Sequence, residues 1–84
     1  MATSAVSREV IEQFVVDALV EFGADRTAIS PEATFNDLEI DSLDMVELGQ
    51  SVKREFGIEL KPKDFEEVAG VRDALSIIYA KAGL

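Results

Sequence analysis

"LEIDSLDMVEL", residues 38–48, sets one hydroxyl between two carboxylates inside a stretch that is otherwise apolar or acidic. With Asp41 as an N-cap, Ser42 becomes the first residue of a helix and Asp44 the third. An Asp N-cap accepts hydrogen bonds from free backbone N–H groups, a contribution of ~1 kcal/mol. Acidic residues in the first turn also complement the helix dipole. Both aspartates are explained in that way without any function. Ser42 is different: its hydroxyl would stand at the positive end of the helix, where a phosphate on that oxygen would face free N–H groups. A plain helix start and a covalent attachment point are both open readings of the same residues.

Beyond the opening turn, "DSLDMVELGQSVKREFG" continues as an amphipathic helix. Leu48, Val52 and Phe56 recur four apart as its inward stripe, Leu43 and Val46 lie on a more outward strip, and Gly57 ends it. Upstream, "SREVIEQFVVDALVEFG" carries Val10, Ile11, Phe14, Val15, Ala18, Leu19 and Phe22 at helical spacing, with Ser7 as N-cap and Gly23 as the stop. The long connection between the two has no sustained periodicity. Ile29, Phe35, Leu38 and Ile40 recur in it as apolar anchors, so it is expected to be pinned across the core, with Pro31 and Asn36-Asp37 supplying turn chemistry. Downstream, Ile58 and Leu60 are expected to be buried loop anchors. Pro62 opens a short helix with Phe65 and Val68 inward. A last helix places Val71, Leu75, Ile78 and Ala82 on one face, with Gly70 as a weaker N-cap. The expected fold is all-α, a bundle of four helices with a long loop after the first and a short third, in one domain over residues 1–84.

Composition narrows the chemistry. The 84 residues suffice for one domain, and 48% of them are hydrophobic, so a core needs no metal or disulfide staple. There is no cysteine, hence no disulfide, thiolate nucleophile or cysteine-type zinc site. There is no histidine either, which removes the usual general base near neutral pH and the commonest metal ligand. A Ser-His-Asp hydrolase cannot be built within this chain, and Ser42 lacks the G-x-S-x-G surroundings of a nucleophile elbow. A calcium loop counted from Asp37 fails where it needs Gly and Glu, since Ser42 and Leu48 stand there. No metal site and no catalytic residue is expected. The net charge of −9 speaks against nucleic acid or an anionic membrane surface and favours a partner with a basic patch. "MATSAVSREV" does not look like a signal peptide, and no apolar run reaches membrane-spanning length, so a cytoplasmic protein is expected.

"DSLDMVEL" resembles the helix-opening motif of acyl carrier proteins, in which the serine after the aspartate receives phosphopantetheine. The likeness extends over nearly the whole chain: an amphipathic first helix, a long anchored loop, the Asp-Ser-Leu helix ending "REFGIEL", a short helix and a closing one. The resemblance implies a carrier, not an enzyme, with phosphopantetheine from coenzyme A on Ser42. It also implies a partner face made of Glu39, Asp41, Leu43, Asp44, Met45, Val46 and Glu47. Leu48, Val52, Phe56, Ile58 and Leu60 match positions that line the core and a groove for the acyl chain. The implied partners are a phosphopantetheinyl transferase, then ketosynthase, acyltransferase and other acyl-processing enzymes with basic patches, meeting a free-standing monomer.

Two departures from bacterial fatty-acid carriers favour a polyketide pathway slightly over fatty-acid synthesis. Lys53 and Arg54 stand where those carriers continue an acidic run, and Gly49 where they tend to have a larger apolar residue. A peptidyl carrier is a weaker fit, because Glu39-Ile40 precede Asp41 instead of the Gly and His or Asp more common there. The alternative of another kind is an acidic helical adaptor for a basic partner, with the serine never modified.

Overall fold

The structure is a computed structural model that describes residues 7–84; part of the N-terminal stretch read for a signal peptide, residues 1–6, lies outside them. Among the described residues the elements are helices α1 (Arg8–Glu21), α2 (Ser42–Phe56), α3 (Pro62–Glu66) and α4 (Val71–Lys81), with a 3-10 turn at Arg26–Ala28 in the long connection. The all-α bundle with a long first loop and a short third helix is therefore observed. No helix among the described residues is long and apolar enough to cross a membrane.

α1 begins where Ser7 accepts the Val10 N–H at 3.2 Å and buries Ile11, Val15 and Leu19 completely. Its apolar face packs against α4 and α2. Val71, Ala74, Leu75 and Ile78 of α4 join Leu48 and Val52 of α2 in the same core. At the far end of the α1–α4 pair, the Tyr79 hydroxyl donates to the Arg8 carbonyl at 3.3 Å, and the Arg8 guanidinium lies 5.5 Å from the Tyr79 ring centre. That is cation–π range.

Most of the expected anchors are buried. Phe35, Leu38, Ile40 and Ile58 are inside, whereas Ile29 and Leu60 are only half-buried. Phe56 is half-buried too: it leaves the inward stripe to meet Phe14 of α1 edge-on, with ring centres 5.2 Å apart. Phe65 and Val68 are also half-buried, and Val68 follows the last helical residue of α3.

The start of α4 has a cause that helix periodicity does not contain. Gly70 is the N-cap, yet no cap side chain is involved. Instead the long loop lies directly over it. The Val71 N–H donates to the Ala33 carbonyl at 3.0 Å and the Arg72 N–H to the Pro31 carbonyl at 3.2 Å. Two of the helix's orphan donors are thus satisfied by the loop backbone. In return the Phe35 N–H donates to the Ala69 carbonyl at 3.1 Å. The approach is so close that a Cβ on Gly70 would sit 2.5 Å from the Ala33 oxygen. Gly70 is there for space.

Candidate functional site

The loop delivers the chain to α2 through a tight turn. The Ile40 N–H donates to the Phe35 carbonyl at 2.9 Å and the Glu39 N–H to the Asn36 carbonyl at 3.1 Å. Glu39 sits in the left-handed region with φ 61°. For a non-glycine residue this costs about 1 kcal/mol. The turn keeps Leu38 and Ile40 buried on either side of an exposed Glu39.

α2 then opens with a reciprocal cap. Asp41 Oδ1 accepts the Asp44 N–H at 2.9 Å, and Asp44 Oδ2 accepts the Asp41 N–H at 3.3 Å. The two carboxylates complete the capping between themselves. Ser42, the first helical residue, takes no part in it and is exposed. Its neighbour Leu43 is 77% exposed and Val46 49%, a large outlay of apolar surface for one turn of helix. Glu47 and Glu39 are exposed and Asp44 half-buried. One end of α2 therefore presents a hydroxyl, two bare aliphatic side chains and a ring of carboxylates.

Met45 differs from the other residues of the expected partner face. It is half-buried, packs on the core and lines a small cavity with Leu48, Leu60, Phe65, Val68 and Ile78. The cavity measures about 10 Å³, so the interior is closed. Of the expected groove residues, Leu48 and Leu60 line it. Val52 is in the core, while Phe56 and Ile58 border a separate surface hollow beside Lys81 and Ala82. The five expected groove residues do not share one space.

A side-chain tie that sequence reasoning missed holds α3 over the cavity. The Asp64 carboxylate accepts the Lys61 N–H at 2.8 Å and pairs with Lys81 of α4 at 3.2 Å. With side chains 32% and 26% exposed, Lys81–Asp64 is the most sheltered ion pair among the described residues. The Lys61 N–H, aided by Lys81, holds the Asp64 carboxyl below its ordinary pKa despite partial burial. Asp64 at the third position of a Pro-opened helix was the available signal; its partner seventeen residues on was not readable.

The family described as "Phosphopantetheine attachment site" matches residues 13–78. An acyl carrier protein of Solidesulfovibrio magneticus is 38% identical over 76 residues, which cover 89% of this chain and 94% of that protein. The chain belongs to the acyl carrier protein family. As such it is a carrier and not itself an enzyme, its cofactor is covalently attached phosphopantetheine, and its partners are phosphopantetheinyl transferase and acyl-processing enzymes. The residues at the α2 end fit that group. The exposed Ser42 hydroxyl is uncommitted to the cap, and the first-turn N–H groups of Ser42 and Leu43 lie beyond the helix's own acceptors. A phosphate there is favoured by the helix terminus, by roughly 0.3–1 kcal/mol at an exposed site.

Proposed function

We propose that Ser42 is the phosphopantetheine attachment residue and that the carrier serves fatty-acid or, slightly preferred, polyketide biosynthetic enzymes. The observation that carries this reading is the division of labour at the α2 end: Asp41 and Asp44 cap the helix, and Ser42 is left exposed and free. The arm supplies the thiol that this cysteine-free chain lacks, and acyl groups held on it as thioesters are handed between enzymes. The chain supplies position and recognition. Asp41 and Asp44 oppose a phosphate on Ser42 and the chain has no histidine, so attachment needs an external enzyme that brings the base. Cleavage of the coenzyme A pyrophosphate bond, with the adenosine bisphosphate leaving, supplies the driving force. Leu43 and Val46 offer a desolvatable apolar centre, and Glu39, Asp44 and Glu47 offer charges that steer a basic partner.

The pathway preference rests on Gly49. Lys53 and Arg54 carry less weight than their sequence position suggested. Both fall in the last turn of α2, where cations complement the helix dipole in any helix. Gly49 is buried, and the Phe65 ring occupies the space of its missing side chain. A closed interior of about 10 Å³ suits polar intermediates that stay outside. Leu48 and Leu60 are the groove residues that a sheltered chain would meet, with Val52 in the core and Phe56 and Ile58 apart at the separate hollow. The same reading takes the carrier as a cytoplasmic monomer working as a single domain, with transferase, ketosynthase and acyltransferase as successive partners. With the family shown, the unmodified adaptor is not adopted.

Intact mass after incubation with coenzyme A and a phosphopantetheinyl transferase tests the assignment. The wild-type chain should gain one arm and Ser42→Ala none, with the circular dichroism of the two chains alike. Loading of Ser42→Ala at the wild-type rate would move the attachment elsewhere.

A further inference from the structure

We propose that Phe65, seated in the notch left by Gly49, is the partition that decides how much of an attached apolar chain enters the bundle. The proposal rests on the reading of Ser42 as the attachment point and concerns the specificity of that same site.

Two spaces meet at this ring. One is the closed interior cavity of about 10 Å³, bounded by Met45, Leu48, Val68 and Ile78. The other is an open groove of about 230 Å³ on the outer face of α2 and α3, bounded by Val46, Gly49, Lys53 and Pro62. Phe65 and Leu60 line both. They are the wall between them. The groove leads away from the attachment end, because Ser42, Val46, Gly49 and Lys53 follow one another at i, i+4, i+7 and i+11 along one face of α2.

Gly49 holds the ring in the wall. A Cβ built there would lie 2.7 Å from the Phe65 ring tip, a distance that no side chain could keep without moving the ring. The ring therefore rests on the bare backbone of α2, and α3 can lie close enough for Leu60 to complete the closure. A chain arriving from Ser42 meets the groove first. The interior, at about 10 Å³, has room for about one water-sized group, so a run of methylenes cannot enter until the ring turns out. Rotation of this half-buried side chain opens the wall, and α3, held at only a few points, can follow it. Saturated chains gain from that opening with every methylene buried. Polar chains do not, and remain in the groove.

The test is methyl NMR of the unloaded protein titrated with 1-octanol, joined to hydroxylamine cleavage of the octanoyl-loaded carrier. In the wild type, octanol should shift the Val46 methyls and leave those of Leu48 and Ile78 unmoved. In Phe65→Ala the Leu48 and Ile78 methyls should respond, and cleavage of the octanoyl thioester should slow by about tenfold, equivalent to roughly two further methylenes sheltered. Phe65→Leu keeps an apolar filling should the alanine variant fold poorly, and should respond to an intermediate degree. Leu48 and Ile78 shifts in the wild type as large as in the variants would overturn the proposal. So would silence of both residues in folded Phe65→Leu and Phe65→Ala. The octanol titration needs no attachment, so its outcome holds whether or not Ser42 is loaded, and mass spectrometry measures the loading separately.

Discussion

α1 and α3 are held in opposite ways. α1 runs for 14 residues and has three residues with no exposure at all, Ile11, Val15 and Leu19. α3 runs for 5 residues and buries none of them. α1 is fixed by apolar area along its whole length, a contribution shared among many contacts. α3 is fixed at a few points: the Asp64–Lys81 pair, the cap on the Lys61 N–H, and the Phe65 ring on Gly49. Shared apolar area gives a scaffold that opens only when the protein unfolds. A few discrete ties give an element that can open alone. A carrier needs both, one to keep the attachment end in place and one to yield to cargo.

The largest effect should come from the scaffold. Ile11→Ala removes a completely buried side chain between α1 and its neighbours, and should cost about 2–5 kcal/mol of stability, read from denaturant unfolding. A loss below ~1 kcal/mol, less than core truncations of this kind cost, would mean that α1 is not the fixed side of the comparison. Next comes the point where loop and scaffold touch. Gly70→Ala forces a Cβ against the Ala33 carbonyl and should cost about 1–3 kcal/mol, a loss to which the poorer N-capping of alanine adds. A neutral result in thermal melts would show that the loop gives way.

Smaller and confined to α3 is an acid effect. The folded-state pKa of Asp64 is lowered, so its contribution is fully present above the ordinary carboxylate value and is lost as pH falls through the lowered one. Amide exchange of α3 should therefore hold steady from neutral pH down to the ordinary carboxylate range, after correction for the intrinsic rate, and loosen only below it. Asp64→Asn should leave α3 loosened already at neutral pH, to the level that wild type reaches only in acid, and erase that acid limb. An acid limb of unchanged size in Asp64→Asn would assign it to another group.

The scaffold was the legible half of the molecule. α1, α2 and α4 each repeat an apolar pattern over three or more turns, and Ser7, Asp41 and Gly57 mark boundaries by residue type. The attachment end was legible for the same reason, since a cap, a hydroxyl and a change of polarity all fall within one turn. What escaped is long in sequence and short in space. Nothing near Gly70 announces that the Ala33 carbonyl lies over it, and nothing near Gly49 announces the Phe65 ring. Both glycines stand for atoms brought by another segment, and pattern along the chain is blind to that. Met45 shows a milder form of the same limit. Its place between Asp44 and Val46 suggested an outward residue, whereas the rotation of α2 turns it toward the cavity.

The most direct measurement is native-state hydrogen exchange on the unloaded protein, comparing the amides of Asp64 and Val68 with those of Val15 and Leu19. The Asp64 N–H donates to the Lys61 carbonyl at 2.8 Å and the Val68 N–H to the Phe65 carbonyl at 3.2 Å, while Val15 and Leu19 lie within α1, so all four are hydrogen-bonded reporters. If α3 opens on its own, Asp64 and Val68 should exchange far faster than Val15 and Leu19, and a low concentration of denaturant should leave their rates nearly unchanged. Equal protection at all four sites, rising and falling together with denaturant, would mean that α3 opens only with the whole bundle, and the division into scaffold and movable cover would fail.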